Sequence, residues 1–428
     1  MCCRDYDAMP IPSGSTTGSP MTPSLSLDTI VVGAGIGGLA AALALRRAGH
    51  RVTVLEQSRA FREVGAGLQV VPNATRALRA LGVLDRQRLA AVAPIATIRR
   101  RWQDGSLLGS FPLGDDVEAE FNAPYWNAHR ADLHAALLDA VRDPYTAGPP
   151  VAVLGGIAVR GLDAYGPDGA TLVDAAGTRW RADLVVAADG IHSTLRHALL
   201  GDDAPHYSGD DAYRALIDAD AIDPRSPVFE IVREPQVTIW LGPGRHAIHY
   251  WVRDRRLLNL VVIVPGDGST RESWSSKGDR ATLEAELDGW DPRLVGLIRC
   301  ASDLSRWSLH DRQPLARWVW DSVCLLGDAC HPMLPYQSQG AAQALEDAVV
   351  LGRCVTGLAS KDALGAALVE YQRLRIDRSA RIQLASAGNG GVFHLPDGPE
   401  QQARDAELKS RRADFKSYHW TWADAYQL

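Results

Sequence analysis

The chain has 428 residues, enough for two intertwined domains or one large domain carrying an insertion. Its 45 basic and 51 acidic residues are interspersed and leave a net charge of -6, which argues against nucleic acid or an anionic membrane as the main partner. Six cysteines without a C-x-x-C pair, and no metal-ligand spacing such as H-E-x-x-H, point to reduced thiols in the cytoplasm, with no disulfide framework and no metal.

Residues 1–27 are rich in Ser, Thr, Pro and Gly and lack the apolar core of a secretory signal, so a disordered leader is expected. Met21 is an alternative start, and Cys2-Cys3 has no polybasic neighbour to support a lipid anchor. The apolar run from Thr29 to Leu45 contains Gly33, Gly35, Gly37 and Gly38, which favours strand–turn–helix over a membrane span. Thr29–Val32 reads as a buried parallel strand, Ile36–Ala48 as a helix and Arg51–Glu56 as the next strand, a βαβ unit. Asn73 is expected to cap a helix running to about Leu81, and Arg130–Val141 forms an amphipathic helix. Leu184–Ala188 and Val323–Leu326 are further buried strands. They end at Asp189-Gly190 and Gly327-Asp328, where an α/β sheet places ligands.

From Tyr207 to Val264 the pattern changes to strands with little helix: Val228–Val232, Val237–Leu241, His246–Val252 and Leu257–Val264. Turns are expected at Gly242-Pro243-Gly244 and Asp254-Arg255-Arg256. This segment predicts an antiparallel sheet inserted into the nucleotide-binding domain, with residues 99–118 adding strands. Beyond Gly340 the chain is largely helical and ends in an aromatic tail, residues 418–422.

Gly33, Gly35 and Gly38 fit G-x-G-x-x-G between strand and helix. The first permits a tight turn, the second admits a pyrophosphate, and the third lets helix pack on strand. Glu56 closes the second strand, placed to hydrogen-bond an adenosine ribose 2′-hydroxyl. Asp328 is placed to accept from ribityl hydroxyls. The helix starting near Gly340-Ala341 offers free N–H groups that would stabilise negative charge on a reduced flavin.

Taken with Glu63-Val64-Gly65-Ala66-Gly67-Leu68-Gln69, Pro72-Asn73-Ala74, His129-Arg130-Ala131-Asp132-Leu133, Trp240 through His246 and Gln339 through Ala348, these motifs resemble the single-component FAD-dependent aromatic hydroxylases. The resemblance is to the salicylate hydroxylase-like branch and runs over roughly residues 28 to 425. It implies an α/β fold: a Rossmann-like FAD-binding domain (28–98, 119–204 and 312–395), an inserted antiparallel substrate sheet (99–118 and 205–311), and a C-terminal helix and tail (396–428). It implies FAD held through Glu56, Gln69, Arg130, Asp328, Gly340 and Ala341, with Asp189 and Gly190 serving both FAD and NAD(P)H. NADH or NADPH and O2 are the implied co-substrates, a flavin C4a-hydroperoxide the implied oxygen donor, and a small aromatic molecule the substrate. A homodimer is one open assembly. Without the resemblance, a surface charge at a helix start is the favoured reading of Arg130.

A phenol-hydroxylating site must orient or deprotonate the phenol and exclude water. Strand alternation puts His246, Ile248, Tyr250 and Val252 on one face, making His246 and Tyr250 a candidate base or proton-relay pair. The alternative for His246 is a half-buried side chain satisfied by backbone. His249, Trp251 and Arg253 fall on the opposite face, assigned to solvent or a partner. Arg214 is the candidate for holding a carboxylate or phenolate, against the alternative of a surface ion pair. Trp251 follows Tyr250 where relatives commonly have proline, which predicts a changed pocket edge. Competing readings are an FAD oxidase, dehydrogenase or epoxidase on the same fold, or a non-catalytic flavin-binding regulator. The W-x-W-x-I-P signature of flavin halogenases is broken at Asp321-Ser322.

Overall fold

The computed structural model describes residues 25–61, 66–201, 203–268, 277–410 and Trp420. Most of the leader, with Cys2, Cys3 and Met21, lies outside these residues, as do Glu63, Val64, Gly65 and the aromatic tail apart from Trp420.

Six strands form the central sheet, in the order Val319–Trp320, Val323–Leu325, Leu184–Ala187, Asp28–Val32, Arg51–Glu56, Ala152–Gly155. All neighbours are parallel except the Val319–Trp320 and Val323–Leu325 hairpin. The helix Ile36–Arg47 is apolar almost all round because both sides are covered, one by the sheet and one by the helix Gly340–Val355. Gly352 permits that second contact, since a Cβ there would stand 2.8 Å from the Ala44 Cβ.

A seven-stranded sheet follows the order Ser305–Asp311, His206–Asp218, Leu257–Pro265, Arg245–Val252, Val237–Gly242, Ala96–Arg101, Leu107–Pro112. It is antiparallel throughout except where Val237–Gly242 runs parallel to Ala96–Arg101. One face packs on the helices Arg280–Glu286 and Pro292–Arg299 through a core that includes Trp251, Leu260, Val262, Leu283, Leu294 and Leu297.

Four expectations do not hold. Val228–Val232 is not a strand: Pro227 opens a short helix, Pro227–Glu230, its fixed φ suiting the first turn. Asn73 does not cap the helix Pro72–Ala80 but lies inside it, its amide turned to Gln339 and Glu346. His249 and Trp251 do not face solvent: both are buried, and Trp251 belongs to the core shared with the helices Arg280–Glu286 and Pro292–Arg299. Trp251 therefore forms no pocket edge, and its indole donates to Val232 O at 2.6 Å on the far face. A three-stranded antiparallel sheet, Val159–Gly166, Gly169–Asp174 and Arg179–Ala182, adds to the expected elements.

The C-terminal part consists of the helix Leu364–Phe393 and the helix Pro399–Ser410, the latter lying on the strand Leu107–Pro112. Among the described residues no helix is long and apolar enough to cross a membrane.

Candidate active site

The glycine turn is built for close approach. Gly33 has φ +99°, and a Cβ on it would stand 2.4 Å from Ala188 O; one on Gly38 would stand 2.0 Å from Gly33 O. Among the described residues nothing lies within 4 Å of the same position on Gly35, so its backbone opens away from them. Glu56 is latched to this turn, accepting from Ala34 N and Ser58 N, each at 2.8 Å.

From Gly35 a cavity of about 650 Å³ runs past Gln69, Arg130, Gly190, Asp328, Gly340 and Ala341 to the seven-stranded sheet. At Gly340 the helix N-terminus has no side-chain cap among the described residues, which leaves first-turn N–H groups for a ligand. A cradle where only glycine fits, an open backbone beside it and an uncapped helix end in one cavity of this size fit FAD.

The sheet register explains the cavity floor. Arg214 pairs with Val261, Val261 with Ile248, Ile248 with Ile239, and Ile239 with Arg99. All five line the cavity, so one row across five strands carries an arginine at each end and three aliphatic residues between. At ~4.8 Å per strand the row spans about 19 Å between its end Cα atoms. His246 and Tyr250 stand two residues to either side of Ile248, which places them roughly 13 Å apart along the strand. They share the face, as expected, and are too distant to form a direct relay. His246 is paired elsewhere: its Nδ1 lies 2.7 Å from His394 Nε2.

Arg214 is the exceptional charge. Its guanidinium carbon lies 3.6 Å from the centre of the Trp307 ring, and its buried Nε makes no hydrogen bond among the described residues. Burial pulls its pKa down to about 9, with Tyr250 opposing and Arg130 reinforcing the shift. It stays cationic at neutral pH, and an anion beside it would relieve the cost of burying that charge. Burial pushes the Tyr250 hydroxyl well above its usual range, with Arg214 pulling back, so the phenol is a donor at neutral pH. Burial, with repulsion from His394, holds His246 well below its usual pKa, so its imidazole is neutral and able to accept a proton.

Asp189 stands behind the cavity wall. Its carboxylate accepts from Ser193 Oγ at 2.5 Å and Leu195 N at 3.2 Å, while Gly190 itself lines the cavity. Burial raises the Asp189 pKa against the pull of these hydrogen bonds.

Sequence reasoning missed the network beneath the Gly340–Val355 helix. Arg375 is fully buried and donates to Asp347 Oδ1 at 2.7 Å, to Gln343 Oε1 at 2.7 Å, and to Glu346. Arg378 and Asn73 add bonds to Glu346 at 2.8 and 2.7 Å. Asp347 also accepts from Gly327 N at 3.0 Å and bonds His331 Nε2 at 2.6 Å, tying the Gly327-Asp328 turn to the helix. Burial opposes ionisation of Asp347, but His331 and Arg375 outweigh it and lower its pKa to about 2. Cys330, His331 and Asp347 bring ligand atoms within 4.8 Å of one another, yet Asp347 already has a cation in Arg375. The Glu346-Asp347 acid pair in the motif was the available signal; its arginine partners, 28 to 32 residues away, were not visible.

A dinucleotide cradle opening onto a sheet-floored chamber is the architecture of a flavoprotein oxidoreductase. Residues 26–384 match the FAD binding domain family, and the chain belongs to it. It is 38% identical over 393 residues to the 3-amino-4-hydroxybenzoate 2-monooxygenase PtmB3 of Streptomyces platensis, covering 92% of this chain and 94% of that protein. It is 34% identical over 400 residues to the 3-hydroxybenzoate 6-hydroxylase of Polaromonas naphthalenivorans, covering 92% and 96%. Its fold is similar to that of a salicylate hydroxylase substrate complex, with TM-score 0.75 and 26% identity over 93% of this chain and 96% of that one. The protein is an FAD-dependent monooxygenase that uses NAD(P)H as co-substrate.

Proposed function

We propose that the protein hydroxylates a phenolic aromatic substrate bearing a carboxylate, of the hydroxybenzoate type on which the two relatives named above act. The observation that carries this reading is Arg214, a half-buried cation lining the cavity with no described counter-ion, at the end of an apolar row wide enough for an aromatic ring. When bound, FAD would supply the redox chemistry, taking reducing equivalents from NAD(P)H and, with O2, furnishing the oxygen that enters the ring. The cofactor would be held by the backbone at Gly33, Gly35 and Gly38 and by Glu56, Gln69, Arg130, Asp328, Gly340 and Ala341, with Gly190 beside it and Asp189 positioning that turn.

Arg214 holds the carboxylate in a charge-assisted hydrogen bond and fixes which ring edge faces the cofactor. Val261, Ile248 and Ile239 form the apolar surface under the ring. Tyr250, protonated at neutral pH, donates to a substrate oxygen. His246 accepts the phenolic proton at Nε2, the nitrogen left over by its bond to His394. Tyr336, Phe393 and Leu334 wall the chamber from water, which protects the oxygen-transfer step from wasteful breakdown. The six-stranded sheet thus serves the cofactor and the seven-stranded sheet the substrate. The four described cysteines are free, in keeping with a reducing cytoplasm.

The test is a panel of hydroxybenzoates and uncharged phenols added to the FAD-loaded enzyme. NAD(P)H oxidation is followed, with mass spectrometry of the products. A carboxylated phenol should accelerate NAD(P)H oxidation and gain one oxygen atom. Acceleration by uncharged phenols alone would remove the role given to Arg214, and oxidation without oxygen gain would favour the oxidase or dehydrogenase reading.

A further inference from the structure

Behind the cavity wall lies a second histidine that the chemistry above leaves unused. His394 terminates the helix Leu364–Phe393, is half-buried, and places Nε2 2.7 Å from Nδ1 of the buried His246, their ring centres 5.0 Å apart. Gly244 N donates to His394 O at 2.9 Å, which fixes the helix end against the turn that precedes His246. The cavity reaches His246 but not His394, so the pair spans the wall between the chamber and the surface.

We propose that His246 and His394 form a two-histidine proton exit that carries the phenolic proton of the bound substrate out of the chamber, making His394 a positioning and relay residue of the reaction. This rests on the phenol-hydroxylating reading. The substrate O–H bond breaks and its proton goes to His246 Nε2. The proton on His246 Nδ1 passes to His394 Nε2, and His394 releases its Nδ1 proton to water. No electrons change hands, and the net result is a bound phenolate and one hydrated proton. Return of a proton along the same path, as the product leaves in its phenol form, restores both tautomers.

The surroundings favour that direction. Burial lowers the proton affinity of His394 and Asp210 offsets part of that loss; Asp210 is itself held by the Tyr336 hydroxyl at 2.5 Å. The helix C-terminus also favours a cation at His394. His246 has no such help: it is boxed by Tyr336 and Phe393, with ring centres 5.2 and 5.1 Å away. Its strand neighbour Arg245 is paired with Glu286 at 2.5 Å. Arg404, bonded to Val392 O at 2.8 Å, is paired with Asp405 at 2.8 Å, and Asp311 lies near enough to act on Tyr336. On balance a proton is less stable on the inner ring than on the outer one.

The experiment mixes FAD-loaded enzyme with 3-hydroxybenzoate in weak buffer containing a pH indicator, and follows proton release by stopped flow. Affinity is measured separately from the flavin absorbance change. Wild type should release close to one proton per site. His394→Gln, which keeps a hydrogen-bonding side chain but cannot relay, should slow release at least tenfold with affinity within about threefold, and added imidazole should restore His394→Ala. Release at the wild-type rate in both variants overturns the relay. So does a loss of affinity as large as the loss of rate, which would give His394 a structural role only. If wild-type enzyme binds neither this acid nor any other phenol, the proposed function itself has failed, a result distinct from either.

Discussion

His246 and His249 stand three residues apart on one strand, 4% and 1% exposed, and what covers them differs. His246 faces the cavity and meets His394, Tyr336 and Phe393. His249 faces the helix-covered side, near Trp240, where its Nε2 finds no partner among the described residues and burial, with Arg100 second, lowers its pKa to about 3. Both sides of the sheet carry arginines over aromatic rings too: Arg214 on Trp307 in the chamber, Arg100 near Trp240 behind it. Burial and residue type therefore do not separate a reactive face from a structural one. Access to a cavity does, and that depends on what the rest of the chain lays over each face.

The largest effect that would sharpen this contrast is at Arg214. Arg214→Ala should keep its visible flavin spectrum and lose kcat/KM for a carboxylated phenol by 10²–10³-fold, on the order of 3–4 kcal/mol for removing one side of a buried charge pair. Normal turnover by that variant would break the assignment. On the opposite face Leu294, fully buried, should behave in reverse. Leu294→Ala is expected to cost about 3 kcal/mol in urea unfolding, with KM unchanged in the folded enzyme. A selective loss of substrate affinity would mean that face is not purely structural.

Tyr250→Phe should cost less, about tenfold in kcat and ~1.4 kcal/mol, since it removes one neutral donor and leaves the ring packing in place. An unchanged kcat would return Tyr250 to the role of an apolar wall. The smallest effect is a pH dependence. The folded-state pKa of His249 is about 3, below the 6.5 of an unperturbed histidine, so the unfolded chain takes up its proton first as pH falls. The contribution is full above pH about 6.5 and lost progressively toward pH about 3. His249→Leu should leave stability within about 1 kcal/mol at neutral pH and flatten its decline across that window, with kcat unaltered. An equally steep decline in the variant would place the acid sensitivity elsewhere.

The nucleotide-binding half is largely legible in the linear chain, because its signals are local. The strand from Asp28, the turn at Gly33 and the helix from Ile36 follow one another in sequence, and backbone geometry forces glycine where a Cβ would meet Ala188 O or Gly33 O. Strand alternation also puts His246 and Tyr250 on one face, and the family resemblance suggests Arg214.

What the chain could not reveal by itself were choices made between distant segments. The helices at Arg280–Glu286 and Pro292–Arg299 decide that Trp251 is core. The helix ending at Phe393 brings His394 to His246 across 148 residues. Arg375 reaches Glu346 and Asp347 to lock the helix that faces the cofactor cradle. Period and turn chemistry are written residue by residue, so they survive in a linear reading. Which of two similar faces is left open is set by packing between segments far apart in sequence, and only the folded chain expresses it.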